Sequence, residues 1–232
     1  MSKNTSVKIK RALLSVSDKS GITELAKSLE NGGVEIVSTG GTLKHLADEG
    51  IKVKEVSDFT GSPEMMEGRV KTLHPKIHAG ILSRREKDLD EVKENSIEEI
   101  DLVVINLYPF EETVKKKVSL EETIENLDIG GPTIIRAAAK NFYYVTVLSS
   151  PENYSNFIDE FSENNEVSYE TRYELARKAF NKISEYDLAI SKYFNPTKEE
   201  DFPNLIFDKY KKISDLRSVS YTHLTLPTTP YV

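Results

Sequence analysis

The stretch Asp101-Leu-Val-Val-Ile-Asn106 decides the fold class of this 232-residue chain. Its apolar run is unbroken between two polar ends, which is typical of a central strand that helices cover on both faces. Four further β-branched runs have the length and composition of strands, and amphipathic segments separate them. These runs lie at residues 11–16, 34–38, 53–56 and 144–148. The alternation predicts an α/β domain with a mostly parallel central sheet.

Helices are predicted between and after these strands from composition and from apolar spacing. They cover residues 22–30, 42–48, 87–99, 120–126 and 133–139, and then 152–161 and 169–193. Ser119 followed by Glu122 is typical of a capping box, and Gly32, Gly33 and Gly50 lie where helices should stop. Residues 57–85 fit neither period and contain several glycines and prolines, so they predict a long functional loop with short elements.

The composition excludes several classes of protein. Hydrophobic residues make up 38% and charged residues 30%, which favours a globular protein over a disordered chain. No apolar stretch has the length of a membrane span, and the basic start has no apolar core of a secretory signal, so we expect a cytoplasmic protein. The absence of cysteine excludes disulfides, thiolate metal sites and a cysteine nucleophile.

The net charge of −7 gives no general attraction for nucleic acid or for an anionic membrane. A local cluster of positive groups must therefore hold any anionic ligand. In open α/β sheets, ligands bind beyond the carboxyl ends of the strands. There the sequence places Ser15-Val-Ser17-Asp-Lys19 and Thr39-Gly40-Gly41-Thr42, which together suggest a phosphate cradle at a helix start. The alternative is that Ser17 or Asp18 caps the first helix and that Gly40-Gly41 forms a simple turn.

Polar residues also follow the fourth strand, in Asn106-Leu-Tyr108-Pro-Phe110. Tyr108 is either half-buried packing or a phenol placed beside a reacting group, and in the first interpretation Pro109 only stops the strand. The next motif, Asp128-Ile-Gly130-Gly131-Pro132-Thr133, predicts a helix start with free backbone donors.

Arg136 and Lys140 follow on one face of that helix. They form either a basic stripe in solvent or part of a site.

The long loop carries Gly68-Arg69-Val-Lys71-Thr72-Leu-His74-Pro75. Its two cations and the neighbouring hydroxyl suit a phosphate or a developing oxyanion. His74 and His78 invite a metal site, but Pro75 disfavours a regular helical turn that holds both and no third ligand is evident. Signatures of nucleotide cofactors are absent from the sequence, so neither a metal nor a cofactor is predicted.

These motifs, together with Arg136-Ala-Ala-Ala-Lys-Asn141, resemble the IMP cyclohydrolase domain in order from about Arg11 to about Arg217. The resemblance implies a methylglyoxal-synthase-like three-layer α/β/α fold with C-terminal helices, which is usually dimeric. It implies the dehydrative ring closure of a formylated aminoimidazole carboxamide ribonucleotide, FAICAR, to IMP, the last step of purine biosynthesis, without a cofactor.

The resemblance also implies the site residues. The catalytic positions of the family fall on Lys71, Tyr108, Asp128 and Lys140. Its nucleotide-contacting motifs fall on Ser15, Ser17, Lys19, Thr39, Gly41, Thr42, Arg69, Thr72, Asn106, Gly130 and Gly131. We assign Asp128 to the amide, Lys71 and Tyr108 to oxygen and proton transfer, and Lys140 to the developing negative charge.

The cyclohydrolase domain is expected at residues 1–193. Asn195-Pro196 and Phe202-Pro203 break regular structure and predict a linker at 194–217, and the tail at 218–232 resembles neither family domain and is expected to be non-native or disordered. The linker is expected to lead toward a missing transformylase domain, so transformylase activity is expected to be absent.

Two other functions suit the same fold. A lyase of the methylglyoxal synthase type would act on a triose phosphate and needs a carboxylate base that removes a proton from carbon. A non-catalytic regulatory domain would bind a nucleotide without the four catalytic side chains.

Overall fold

Strands and helices alternate along residues 5–108, 110–195, 208–210 and 212, which the computed structural model describes. The strands are β1 (Val7–Lys8), β2 (Arg11–Val16), β3 (Glu35–Ser38), β4 (Lys54–Glu55), β5 (Leu102–Asn106), β6 (Thr146–Leu148) and β7 (Glu166–Val167). The helices are α1 (Ile22–Asn31), α2 (Gly40–Asp48), α3 (Val56–Thr60), α4 (Pro75–Leu82), α5 (Leu89–Glu94), α6 (Phe110–Lys115), α7 (Leu120–Glu125), α8 (Gly130–Lys140), α9 (Tyr154–Asn164) and α10 (Tyr169–Phe194). Two 3-10 turns lie at Met66–Gly68 and Pro151–Asn153.

The central sheet has the strand order β4-β3-β2-β5-β6, and all of its pairs are parallel. The predicted mostly parallel sheet is therefore confirmed. The chain moves outward from β2 to β3 and β4, and then crosses back to place β5 on the other side of β2. The strand order thus reverses between β2 and β5, where open α/β sheets bind their ligands.

Strand β5 is buried on both faces, as its apolar run predicted. Leu102 and Val104 pack in the core between the sheet and the layer of α1 and α9. Val103 and Ile105 point the opposite way, because successive side chains of a strand alternate, and they pack with residues of α3, α4, α8 and α10. The predicted three-layer α/β/α architecture is confirmed.

The helix predicted at 87–99 is wrong in its second half. Helix α5 ends at Glu94, and Ser96 has φ of 51°. The chain then continues so that the Ile100 N–H donates to Gly80 O at 3.0 Å. Gly80 allows this approach, since a Cβ atom there would lie 2.5 Å from Glu98 O. Burial of Ile100 beside β5 outweighs the helical composition of the segment.

The segment 57–85 is a loop that contains short elements, as predicted: the end of α3, a 3-10 turn and α4. The short elements β1, β7 and α6 were not predicted. Strands β1 and β7 pair antiparallel, away from the main sheet. Within the described part of the chain, no helix has the length and apolarity needed to cross a membrane.

The C-terminal region forms a second unit from Thr197 to Val232, after a first unit that ends at Pro196. In the second unit, residues 208–210 and 212 have no regular structure, and Tyr210 is exposed. The predicted linker at 194–217 lies largely, and the predicted tail at 218–232 wholly, outside the described residues. Their limits remain predictions.

Candidate active site

Asn106, at the carboxyl end of β5, holds the loop that follows β2. Its Oδ1 accepts hydrogen bonds from the N–H groups of Ser17 at 2.7 Å and Asp18 at 2.9 Å. Its Nδ2 donates to Asp18 O at 2.7 Å. All three bonds go to the backbone of the loop after β2. The buried amide of Asn106 therefore fixes this loop between β2 and β5, where the strand order reverses.

Helix α2 is held to the same edge by Thr42. Its hydroxyl accepts from Val16 N at 2.9 Å and donates to Val16 O at 3.1 Å. Gly40 has φ of 55° and, with Gly41, forms the first turn of α2, so the interpretation of these glycines as a simple turn is wrong. The first N–H groups of a helix have no acceptor within the helix, which makes this end suitable for an anion.

Lys19 adds a positive charge to the start of α2. A Cβ atom at Gly41 would lie 3.8 Å from Lys19 Nζ. Ser15 is half-buried in β2, opposite Ile105, and Thr39 precedes α2 in an extended conformation. The structure thus brings together the two motifs from which the phosphate cradle was predicted.

The alternative in which Ser17 or Asp18 caps α1 is wrong. Gly21 occupies the N-cap position in a left-handed conformation. Asp18 instead accepts from the hydroxyl of Ser20 at 2.6 Å and from its N–H at 2.9 Å. These two bonds hold the pKa of Asp18 below its usual value.

The loop at residues 68–72 lies against the N-termini of two helices, α2 and α8. A Cβ atom at Gly40 would lie 3.6 Å from Lys71 Nζ, so the ammonium lies at the start of α2. A Cβ atom at Gly130 would lie 3.3 Å from Thr72 Oγ1, so the next side chain lies at the start of α8. Two adjacent residues therefore contact both glycine motifs, although those motifs are about ninety residues apart in the chain.

The charges of this loop have different partners. Lys71 Nζ pairs with Glu64 Oε2 at 3.2 Å. Arg69 pairs with Glu125 of α7, and its side chain is exposed. Lys71 therefore lies beside Gly40 and Gly68, whereas the Arg69 side chain lies exposed on the outer side of the loop. Glu64 was not among the predicted site residues, because it is a lone acid in an irregular segment.

Asp128 is fixed before the start of α8. Its Oδ1 accepts from Gly131 N at 2.8 Å, and its own N–H donates to the hydroxyl of Tyr186 at 2.8 Å. Burial raises the pKa of Asp128 above its usual value, and the bond from Gly131 opposes this only in part. A carboxyl group with a raised pKa is suited to proton transfer.

Tyr108 lies beyond the carboxyl end of β5, and 55% of it is exposed. The interpretation of Tyr108 as half-buried packing is therefore wrong. The preceding Leu107 lies close to the start of α8, since a Cβ atom at Gly131 would be 2.9 Å from Leu107 Cδ2. This contact places the backbone of Tyr108 beside the Asp128 motif. The suggestion that Pro109 stops the strand falls outside the described residues.

Lys140 is the last residue of α8 and is exposed. Ten residue steps of helix, about 15 Å, separate it from Gly130, which is further than a lysine side chain spans. Lys140 therefore does not reach Asp128 within this chain. Arg136, on the same face, pairs with Asp187 of α10, so it is not simply part of a basic stripe in solvent.

The two histidines of the loop lie at the start of α4. His74 Nδ1 accepts from Lys76 N at 3.2 Å, and Nε2 lies 3.2 Å from Ser62 Oγ. His78 is one helical turn away, and burial lowers its pKa. Among the described residues, no group of three or more His, Cys, Asp or Glu side chains is placed to hold a metal ion.

Family models match most of the chain. A model described as the MGS-like domain matches residues 21–133, and one described as the AICARFT/IMPCHase bienzyme matches residues 138–223. A crystal structure of ForH is 36% identical and superposes with a TM-score of 0.72, covering 80% of this chain and 97% of that one. The likeness therefore extends over most of this chain and nearly all of that one.

Curated relatives give a second comparison. The chain is 52% identical over 213 residues to the bifunctional purine biosynthesis protein PurH of Ruminiclostridium cellulolyticum, covering 90% of this chain and 41% of that protein. It is 52% identical over 219 residues to PurH of Clostridium botulinum, covering 94% and 43%. The chain thus spans about two fifths of the length of these relatives.

Proposed function

Since the chain belongs to the AICARFT/IMPCHase bienzyme family and contains its MGS-like domain, we propose that it closes the second ring of the purine base, converting FAICAR to IMP and water. The observation that carries this proposal is the loop at residues 68–72. It places Lys71 at the start of α2 and Thr72 at the start of α8, beside the half-buried Asp128. One nucleotide could contact both helix starts.

The nucleotide phosphate would bind at the start of α2. Lys19 provides the charge and the glycines there provide N–H donors, which together favour an anion although the chain is acidic overall. Thr42 and Asn106 would act by holding the backbone, because their side chains already bond to it. The base would then extend toward Thr72 and the start of α8.

The reaction forms one bond and releases one water molecule. The carboxamide nitrogen of FAICAR forms a bond to the formyl carbon, and the formyl oxygen becomes a hydroxyl group. That oxygen leaves as water with one proton from the carboxamide nitrogen and one from the formamide nitrogen, as a C=N double bond forms between the formamide nitrogen and the former formyl carbon. An amide nitrogen is a weak nucleophile, so a fixed orientation of the two groups should provide much of the rate enhancement.

Each proposed catalytic side chain has a role that its position allows. Asp128 Oδ1 is taken by Gly131, so Oδ2 would accept the proton of the carboxamide nitrogen. The raised pKa of Asp128 makes it a better base than an exposed carboxylate. Lys71 would move from Glu64 to the formyl oxygen, and the phenol of Tyr108 would deliver a proton to the departing oxygen.

Lys140 would act from a second copy of the chain. It is exposed at the far end of α8, so a homodimer is the arrangement in which it reaches the site. The residues after it form an aromatic surface in which Phe142 stacks on Tyr143, with ring centroids 4.6 Å apart, and contacts Tyr169 and Tyr173. Tyr143 and Tyr173 are both exposed, as subunit contacts are in an isolated chain.

The activity is tested by incubating the protein with FAICAR and measuring IMP, with dihydroxyacetone phosphate as the control substrate. We expect IMP from the first and no methylglyoxal from the second. Lys71→Ala should reduce the rate by about a hundredfold to a thousandfold, as loss of a donor to a developing charge does elsewhere. Near-normal turnover by the folded Lys71→Ala variant would contradict the catalytic role assigned to Lys71.

Mixing two inactive variants tests the dimer. Lys140→Ala and Asp128→Asn protomers, combined after separate purification, should form mixed dimers in which one of the two sites is intact. Random exchange should then restore about a quarter of the wild-type activity, because half of the dimers are mixed. No recovery, although the subunits are shown to exchange, would contradict the action of Lys140 from the partner.

A cytoplasmic location and the lack of nucleic-acid partners belong to the same proposal. They rest on composition and charge.

A further inference from the structure

Tyr186 lies in the middle of α10 and reaches the Asp128 motif with its hydroxyl group. The hydroxyl oxygen accepts the Asp128 N–H at 2.8 Å. The ring is buried, and it packs edge-on against Phe110, with centroids 6.2 Å apart and planes at 68°. Tyr186 is thus the point at which the C-terminal helix contacts the proposed proton acceptor.

Packing alone does not require a tyrosine here. A phenylalanine ring would fill the same space and would avoid the cost of burying a hydroxyl group. The neighbouring Ile183 occupies the same buried stripe of α10 and carries no polar group. What the hydroxyl adds is an acceptor for a backbone N–H that lies just before α8 and outside its hydrogen-bond ladder.

We propose that Tyr186 is a positioning residue for the ring closure, because its hydroxyl fixes the Asp128 backbone so that Oδ2 faces the carboxamide nitrogen. This inference rests on the proposed function. Two hydrogen bonds then fix the position of Asp128. Its own N–H donates to the Tyr186 hydroxyl, and its Oδ1 accepts from the Gly131 N–H. Without the first bond, the Asp128 N–H loses its acceptor and the peptide before α8 is free to rotate.

The charged groups near this pair already have partners. Asp187, next to Tyr186 on α10, pairs with Arg136 of α8. Burial has the largest effect and raises the pKa of Tyr186; the bond from the Asp128 N–H lowers it, and the charges of Asp128 and Asp187 raise it, so the net shift is upward. The phenol therefore remains protonated near neutral pH and keeps its role as an uncharged acceptor.

The test compares Tyr186→Phe with Tyr193→Phe. Tyr193 packs against the same Phe110 ring, with centroids 5.7 Å apart, and so provides a matched loss of one hydroxyl group. Tyr186→Phe should reduce kcat about tenfold with little change in KM, because a slight misplacement of a reacting group costs rate rather than binding. In Tyr186→Phe, the acidic limb of the pH profile of kcat/KM should also move to higher pH, because less polar surroundings raise the pKa of Asp128. Tyr193→Phe should change neither.

A double variant separates positioning from general destabilisation. In the Asp128→Asn background, Tyr186→Phe should cause no further loss of kcat, because it acts through the group already removed. An equal tenfold loss in both backgrounds would overturn the proposal. So would unchanged kcat and pH profile in a folded Tyr186→Phe variant, or the same loss in Tyr193→Phe.

A measurement without turnover distinguishes this inference from the proposed function. The carboxyl carbon of Asp128 can be titrated by NMR in the wild type and in both phenylalanine variants. We expect the midpoint to rise in Tyr186→Phe and to stay constant in Tyr193→Phe, and equal midpoints in all three would overturn the contact. Failure of the wild type to convert FAICAR, with the expected titration, would reject the proposed function alone.

Discussion

The two ends of the central sheet carry similar charged residues and use them differently. At the amino ends of the strands, Arg11 pairs with Glu35 and Glu98, and Lys54 lies 3.5 Å from the same Glu35. Arg85 pairs there with Asp101 at 3.1 Å. At the carboxyl ends, Lys19 and Lys71 lie beside helix starts that themselves favour negative charge. The cations of the amino end are paired with carboxylates of the chain. At the carboxyl end Lys71 also pairs with Glu64, but the two helix starts there make this end suited to an anion.

The pKa values of two carboxyl groups, Glu35 at the amino end and Asp128 at the carboxyl end, shift in opposite directions. Burial tends to raise the pKa of Glu35, but the bonds to Arg11 and the charge of Lys54 outweigh it, so the net shift is downward. Burial likewise raises the pKa of Asp128, and no cation opposes it, so the net shift is upward. Burial therefore makes a carboxyl group a better proton acceptor when no neighbouring cation compensates for it, as at Asp128.

The largest expected effect is on catalytic activity, and it distinguishes Asp128 from Glu35. Asp128→Asn should reduce kcat/KM for FAICAR by about a hundredfold to ten-thousandfold, the usual loss for a general base. The amide oxygen of the new side chain can still accept from Gly131 N, so stability should change by less than about 1 kcal/mol. Glu35→Gln is the control and should keep near-normal activity. A similar loss in both variants would break the contrast.

The next effect separates the two ends by stability. Asp101 is buried and accepts from Lys10 N at 2.9 Å, Arg11 N at 3.1 Å and Arg85 at 3.1 Å. Asp101→Ala leaves these donors without their acceptor and should lower the free energy of unfolding by about 3 kcal/mol. Denaturant titration measures this loss, and Lys71→Ala should lose less than about 1 kcal/mol. An equally stable Asp101→Ala variant would contradict the structural role of the amino end.

A smaller effect concerns the loop at residues 68–72. Gly68 has φ of 88°, and an added Cβ atom would lie 2.8 Å from Lys71 Nζ. Gly68→Ala should therefore displace the ammonium and reduce kcat/KM about tenfold. Gly50 has φ of 77° with no atom within 4 Å of its Cβ position, so Gly50→Ala is the matched control for backbone strain.

Both alanine variants should lose about 1 kcal/mol of stability, and only Gly68→Ala should lose activity. Equal kinetics in the two variants would contradict the placement of Lys71.

The smallest effect is a pH dependence of stability. The native pKa of Asp128 lies above its value of 3.8 in the unfolded chain, so the native state binds the proton more tightly between the two values. The free energy of unfolding should therefore fall as pH rises through this window, and then level off. Asp128→Asn removes this contribution, so its stability relative to the wild type should increase over the same window. A constant difference across the window would show that the carboxyl is not destabilised by burial.

The sequence by itself determined the sheet and most of the cradle. The apolar run of β5 predicted a strand buried on both faces, because alternate side chains must each find a covered face. The glycine motifs after β3 and before α8 predicted helix starts with free donors, since that chemistry is local. The second half of the helix predicted at 87–99 was wrong because burial of Ile100 is a tertiary contact that local composition does not reveal.

Only the tertiary structure decided which residues share the site. Lys71 contacts Gly40 because a loop without periodicity folds back across the strand ends, and no spacing predicts such a fold. Tyr186 lies within a helix predicted from the sequence, but its bond to Asp128 depends on how α10 packs against α8. Lys140 matches a catalytic motif, yet the length of α8 holds it away from Asp128, because a rigid helix fixes the distance between its ends.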